Sequence, residues 1–396
     1  MAGVEHIPRI ARFQPFPRKI DSDNLVVSDD DVMHSPFQLA DLTRPELELQ
    51  LGAWGYAARH AHRVWHWLYQ GHHAFADCVD GDESLPAPLR ERLSAIAAPF
   101  SLHLQSQVIA HDQMAVKFLF HLADGAPIET VLMRYHGRAT ACLSVQSGCP
   151  LNCVFCATGK MGLNRNLRPG EIVSQAIHAD RMLIPSHESQ PQQTRQVPGR
   201  RRERLRNVVL MGMGEPLLNY DASLTALDIL SDPAGLAISP KRLTISTVGV
   251  IPAIVRLADE RRPYSLAVSL HGATQEQRER LVPSTRTWPL DELLRACRQY
   301  TDRLGNRIFF EWTLIDGEND SEDDALRLAQ RLRDIPSHVN LIPLNPTPGY
   351  DGSTSSTAKA RNFQHVLRQQ GVPSTVRQRR GIDVQAGCGQ LASESS

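Results

Sequence analysis

Three cysteines crowd into the stretch Gly148-Cys149-Pro150-Leu151-Asn152-Cys153-Val154-Phe155-Cys156-Ala157-Thr158-Gly159, spaced C-x3-C-x2-C. Thiolates are the usual ligands of iron–sulfur clusters. Three on one short loop can wrap one face of a [4Fe–4S] cubane, which leaves a fourth iron without a protein ligand. Such an iron can chelate the amino and carboxylate groups of S-adenosylmethionine (SAM), and one electron from the cluster then splits the sulfonium to an organic radical. In that chemistry the cofactor does the hard step, and the protein ligates, orients and excludes water. Two other readings exist. A structural zinc site wants four ligands, usually as two C-x2-C pairs; here there is no second pair, though Cys142 or a distant histidine could complete a set. Inert packed thiols are the other, and three within eight residues argue against them.

The elements that must carry this loop follow from length and pattern. The chain has 396 residues, enough for one large α/β domain and a smaller one. Lys+Arg and Asp+Glu both total 43, so formal net charge is zero, and any nucleic-acid partner has to meet a local patch. No uncharged apolar run approaches the roughly 20 residues of a membrane span. Met1 to Arg18 carries three prolines and no apolar centre, unlike a secretory signal. Seven cysteines, an odd number with three clustered, suit metal binding in a reducing compartment, so the expected place is the cytoplasm.

Residues 1–35 lack periodicity and suggest a flexible extension. Residues 36–105 read as a small helical, RNA-binding candidate domain. Thr43-Arg44-Pro45-Glu46 is a capping box that starts one helix, and a second runs over 58–69 to stop at Gly71. The histidines there (His62, His66, His72, His73) are given no function. From about residue 106 the pattern changes. Strands are expected at 116–120, 141–145, 207–211, 242–246, 265–269, 308–314, 339–343 and 374–379. Helices are expected at 171–183, 221–231, 251–260, 290–303, 321–333 and 359–370. This alternation predicts an α/β fold over 106–392, a partial (β/α)6 barrel whose site lies at the C-terminal ends of its strands. The segment Ser186 to Arg206 breaks the pattern with six arginines, either a solvated loop or an RNA-backbone contact.

Further motifs sit at strand ends. In Met211-Gly212-Met213-Gly214-Glu215-Pro216 the glycines allow close backbone approach to a ligand. Ser246 and Ser269 end strand candidates, and His271 shares the face of Ser269 if its strand continues. Asn345 lies just past another strand. Cys142 lies in an apolar strand. Cys388, between Gly387 and Gly389, reads as a mobile, approachable thiol.

These motifs, with Ser246-Thr247-Val248-Gly249, Ser269-Leu270-His271 and Gly381 to Leu391, resemble the radical-SAM RNA adenine methyltransferases of the RlmN/Cfr family, in order over about residues 36–392. The resemblance implies a radical-SAM partial barrel with a small N-terminal helical domain, a [4Fe–4S] cluster on Cys149, Cys153 and Cys156, and SAM bound by Gly214, Glu215, Ser246, Ser269, Leu270, His271 and Asn345. It implies two SAM molecules per methylation. Cys388 takes a methyl group from the first, a radical from the second activates that methyl, and the resulting adduct with adenine is resolved by Cys142 through a disulfide. Glu129 matches the position of the base that takes the ring proton. The implied substrate is carbon 2 of an adenine in ribosomal RNA or transfer RNA, with carbon 8 as the alternative within the family. A non-catalytic, metal- or cluster-bearing RNA-binding protein is the alternative from another class. The implied partners are RNA and an electron donor such as a flavodoxin or ferredoxin, with no membrane. Gln385, Gly387, the long 186–206 segment and the N-terminal extension depart from the family pattern and bear on the RNA substrate.

Overall fold

The computed structural model describes residues 38–69, 79, 82–95, 102–135, 137–183 and 203–392. The 1–35 extension, His72, His73, Cys78 and all but the end of the Ser186–Arg206 segment lie outside the described residues.

The described residues open on a 3-10 turn (Leu39–Asp41) and go on through the helices α1 (Arg44–Ala53), α2 (Arg59–Tyr69) and α3 (Ala87–Ala95). The capping box forms as the sequence predicts, with Glu46 reaching back to the Thr43 N–H at 2.7 Å. Trp65, Val64 and Leu68 form the buried stripe of α2.

A ten-stranded sheet follows. Strands β1 (His103–Ile109), β2 (Ala115–His121), β3 (Pro127–Tyr135) and β4 (Arg138–Cys142) pair antiparallel in sequence order. The chain then leaves the sheet for a small hairpin of β5 (Gln146–Cys149) and β6 (Gly162–Asn166), with the short α4 (Ala157–Lys160) between them. Helix α5 (Pro169–Arg181) returns it to β7 (Leu205–Leu210), which lies parallel to β4. The parallel run continues through α6 (Tyr220–Ser231), β8 (Leu243–Thr247), α7 (Ile251–Asp259) and β9 (Ser265–Ser269). It goes on through α8 (Gln275–Leu281), α9 (Leu290–Leu304), β10 (Ile308–Leu314), α10 (Glu322–Leu332), β11 (Ser337–Pro343), α11 (Thr357–Gln369) and β12 (Ser374–Val376). Six strands, β4 and β7 to β11, are thus each followed by a crossover helix, the expected partial barrel. No pairing among the described residues joins β1 to β12, so the barrel is open.

The crossover helices bury one stripe each. In α9 the buried residues include Leu290, Leu293, Leu294, Cys297, Tyr300 and Thr301, spaced three and four apart, and the helix ends at Gly305. The N-terminal helices are tied to this layer by polar contacts as well. Asp41 accepts from the Gly170 N–H at the start of α5 (2.8 Å), and Arg44 pairs with Asp232 (3.0 Å). Burial raises the Asp41 carboxyl to about 6. Among the described residues no helix is long and apolar enough to cross a membrane.

Several sequence expectations are corrected. The expected strand at 141–145 ends at Cys142, because Leu143 and Ser144 turn away to approach the chain after β7. The strand at 374–379 ends at Val376, and Arg377 to Arg380 leave the sheet. Strand β1 escapes pattern reading because every residue of it is exposed, so no alternation marks a buried face. Strand β3, the β5–β6 hairpin and α8 also add to the expected elements.

Gly212 has a role other than ligand approach. A Cβ there would lie 2.7 Å from the Leu143 carbonyl carbon and oxygen, so glycine lets the two chain segments leaving β4 and β7 touch. Gly212→Ala is expected to cost roughly 1–3 kcal/mol of stability through backbone overpacking, read as a lower thermal unfolding midpoint. An unchanged midpoint would show that this contact relaxes freely.

Candidate active site

The C-terminal ends of the parallel strands open into one cavity, as barrel topology requires. Cys142 ends β4 on its wall. Gly214 and Glu215 come from the loop after β7, Ser246 from β8, Ser269 and His271 from the end of β9, and Asn345 from the loop after β11. Cys149, Cys153 and Cys156 line the same cavity, and Cys388 enters it from the C-terminal tail.

The cysteine loop is rigidly seated. Cys149 is the last residue of β5, Asn152 takes a left-handed turn (φ 53°), and Cys156 caps α4. The Val154 N–H donates to the Leu281 carbonyl at the end of α8 (3.0 Å), and the Phe155 ring meets His271 edge-on at 4.9 Å. The three thiols lie within electrostatic reach of one another. Burial pushes Cys149 up to about 12, Cys153 well above an ordinary thiol, and Cys156 upward as well. Among the described residues no three His, Cys, Asp or Glu side chains converge on a single-ion site.

The other polar groups are equally constrained. Glu215 is buried; one of its oxygens accepts from Leu217 N–H (3.0 Å) and the other from Val248 N–H (2.9 Å). Burial raises this carboxyl to about 7 against those hydrogen bonds. His271 accepts the Thr313 N–H at Nδ1 (3.0 Å), which assigns its proton to Nε2. Burial, with the Arg278 charge, lowers it to about 3, so the ring is neutral. The strand does not continue to His271 as expected. It stops at Ser269, and His271 adopts φ 58°, held by the Asn319 amide, which donates to the His271 carbonyl (2.8 Å).

The tail bearing Cys388 is tied down on both sides. Asn345 Nδ2 donates to the Cys388 carbonyl (3.1 Å), Ala157 N–H to the Gly389 carbonyl (2.8 Å), and Thr158 Oγ1 to the Leu391 carbonyl (2.6 Å). A Cβ on Gly387 would lie 2.5 Å from Asn345 Nδ2 and 2.6 Å from Gln390 Oε1. The flanking Gly387 therefore serves close packing in the tail that carries Cys388. Cys142 and Cys388 are both free thiols. Burial raises Cys142 to about 12, with Cys388 adding to the rise, and raises Cys388 to about 11, with Cys156 and Glu311 adding to it; the Arg377 charge opposes both. Cys388 stays exposed as a residue while its thiol faces the crowded cavity.

The stretch at residues 143–329 matches the Radical SAM superfamily. The chain is 53% identical over 356 residues to "Dual-specificity RNA methyltransferase RlmN 1" of Myxococcus xanthus, covering 89% of this chain and 93% of that protein. It is 50% identical to "Probable dual-specificity RNA methyltransferase RlmN 2" of Opitutus terrae, covering 90% and 87%. A solved radical SAM methyltransferase from Sphaerobacter thermophilus superposes with a TM-score of 0.82 at 43% identity, covering 91% of this chain and all of that one. The chain belongs to the RlmN family of radical SAM methyltransferases. It is a SAM-dependent radical enzyme, with a [4Fe–4S] cluster and SAM as its cofactors.

The residues present fit that cofactor set. Three cysteines from one loop face a cavity in company, and their raised thiols need a bound cation to become thiolates. The family residues divide in their placement. Gly214, Glu215, Ser246, Ser269, His271 and Asn345 all reach the cavity. Leu270 does not: its side chain is in the core, and its N–H donates to the Glu311 carbonyl (3.0 Å). Glu129 shares the face of β3 with the cavity-lining Val131 and Met133 but lies beyond the cavity's edge. There it pairs with buried Lys117 (2.9 Å) and accepts the Ala392 N–H (2.9 Å). Sequence reasoning missed Lys117 and Glu311. The signal for both was a charge inside an otherwise apolar strand, Ala115–His121 for one and Ile308–Leu314 for the other.

Cys153→Ala is expected to leave a folded protein that binds little iron and lacks the brown cluster absorbance after anaerobic reconstitution. Full iron loading would remove Cys153 from the ligand set.

Proposed function

We propose that this chain methylates carbon 2 of an adenine in ribosomal or transfer RNA, with Cys388 carrying the methyl group and Cys142 resolving the adduct. The observation that carries this reading is the meeting of Cys142 and Cys388 in the same cavity as the C-x3-C-x2-C loop, though the two residues stand far apart in sequence. The relatives' printed names, dual-specificity RNA methyltransferases, support an RNA substrate.

Cys149, Cys153 and Cys156 would hold the cluster, which when bound supplies the electron that splits SAM into a radical. Glu215, Ser246, Ser269, His271 and Asn345 border the space for SAM; the neutral His271 offers an Nε2–H donor. Cys388 takes the methyl by displacement: a sulfur–carbon bond forms, the SAM sulfonium loses its methyl, and the thiol proton leaves. Ring carbon 2 of adenine is not nucleophilic, so the methyl reaches it only after losing a hydrogen atom to the radical; the carbon–carbon bond then forms, and the adduct's unpaired electron passes back to the bound cluster. Glu129 takes the ring proton, which requires the Ala392 N–H to withdraw from its Oε2. Lys117 pairs with Glu129 at 2.9 Å and positions its carboxylate. Cys142 gives up its proton and attacks the Cys388 sulfur; the bond from that sulfur to the transferred carbon breaks, the carbon leaves with the electron pair and takes up a proton to complete the methyl group, a disulfide forms, and a reductant restores both thiols. The target base has to be unpaired or flipped to enter. The 36–105 helices and the arginines beyond β12 are the proposed RNA contacts, a flavodoxin or ferredoxin the electron donor, and the cytoplasm the setting.

The test is anaerobic reconstitution with SAM, a reductant and unmodified ribosomal RNA, read by nucleoside mass spectrometry. 2-Methyladenosine is expected. 8-Methyladenosine would place the chemistry at the other carbon, and deoxyadenosine release with no methylated base would overturn the RNA reading. Cys388→Ala should retain the cluster and lose methyl transfer altogether; transfer at the wild-type rate would overturn the carrier role. Cys142→Ala should accumulate a covalent protein–RNA species, visible as a shifted band on a denaturing gel, and absence of that band removes its resolving role.

A further inference from the structure

Glu311 sits on β10 in the middle of the run Ile308–Leu314 and faces the cavity, yet the mechanism above does not use it. It is 3% exposed. Its Oε1 accepts two hydrogen bonds, from Asn340 Nδ2 (2.8 Å) and Arg377 Nη2 (3.3 Å). Its Oε2 is buried with no partner. An unpaired carboxylate oxygen in a buried site costs free energy, so such an oxygen marks a place where a ligand donor belongs. Burial raises the Glu311 carboxyl, while the Arg377 charge and the Asn340 hydrogen bond oppose that rise and occupy Oε1, leaving Oε2 as the open oxygen.

Glu311 and Arg377 line the same cavity as Cys142 and Cys388, the pair that must meet the target base. Together they display a free acceptor beside a guanidinium whose side chain is 42% exposed. Adenine carries the complementary pattern on either of its hydrogen-bonding edges: an exocyclic amine donor next to a ring-nitrogen acceptor. Guanine presents a carbonyl oxygen where adenine has the amine, and a carboxylate would repel it.

We infer that Glu311, oriented by Arg377 and Asn340, is a specificity-determining residue that accepts a hydrogen bond from the exocyclic amine of the target adenine. The inference rests on the proposed RNA reading and names the group that selects the base. The rival occupant is SAM, because Ser269 lies in register with Glu311 across the sheet.

Glu311→Gln tests it with little change of shape. The donors from Asn340 and Arg377 would hold the amide oxygen at the Oε1 position, leaving an NH2 where the free acceptor stood. The full-length, cluster-loaded enzyme is assayed on an RNA it methylates, with the target nucleotide as adenosine or as purine riboside, which lacks the amine. Wild type should favour adenosine in kcat/KM by roughly 10- to 100-fold. The variant should lose that preference while binding SAM with wild-type affinity in equilibrium dialysis. Retained preference, or preference lost together with SAM affinity, would overturn the inference. Glu311→Ala provides the same comparison if the glutamine variant misfolds. Failure of wild type to methylate the adenosine RNA at all would instead defeat the underlying RNA reading.

Discussion

Residues 387–392 are fastened across the mouth of the barrel by hydrogen bonds to three separate parts of the chain. The loop after β11 supplies Asn345, α4 supplies Ala157 N–H and Thr158 Oγ1, and β3 supplies Glu129 as acceptor for Ala392. These contacts bring Cys388 to the cavity that the cysteine loop also lines. The same short tail thus carries both Cys388 and the Ala392 N–H that occupies one oxygen of Glu129, the proposed base.

The cavity buries groups that ordinarily carry charge or meet water. Burial raises every thiol in it, raises Glu215 to about 7, and lowers His271 to about 3. Each shift favours the neutral form, the direction expected when charge is moved away from solvent. A cluster and a sulfonium both bring charge to this environment and reverse its preferences locally. The protein prepares by spending backbone N–H groups on Glu215 and a strand N–H on His271, which fixes orientation before any ligand arrives.

The barrel makes such an arrangement inexpensive. Parallel strands end at one rim, so a single side chain from each strand end converges without long loops. Cys142, Glu215, Ser246, Ser269 and Asn345 come from or just beyond β4, β7, β8, β9 and β11, and β10 between the last two contributes Glu311. The antiparallel extension β1–β3 has a different task. It supplies Lys117 and Glu129 as a buried ion pair next to the first barrel strand, where loss of either partner would leave an unpaired charge.

What the sequence determined alone was local. The C-x3-C-x2-C spacing defines a ligand loop because three close thiols have few other uses, and alternating apolar strands and amphipathic helices specify the crossover units because each helix must bury one stripe. Glycine meaning was decided only in three dimensions: Gly212 and Gly387 look permissive in one dimension and prove to be points of contact with Leu143 and Asn345. The same holds for His271, whose backbone carbonyl is held by Asn319 and whose ring is aimed by the Thr313 N–H, not by strand alternation. The neighbours of Glu129 and Glu311 were also beyond sequence reasoning, since a buried charge announces that it has partners without saying which. Partners are chosen by strand order and register, and these depend on how the whole sheet closes around its core.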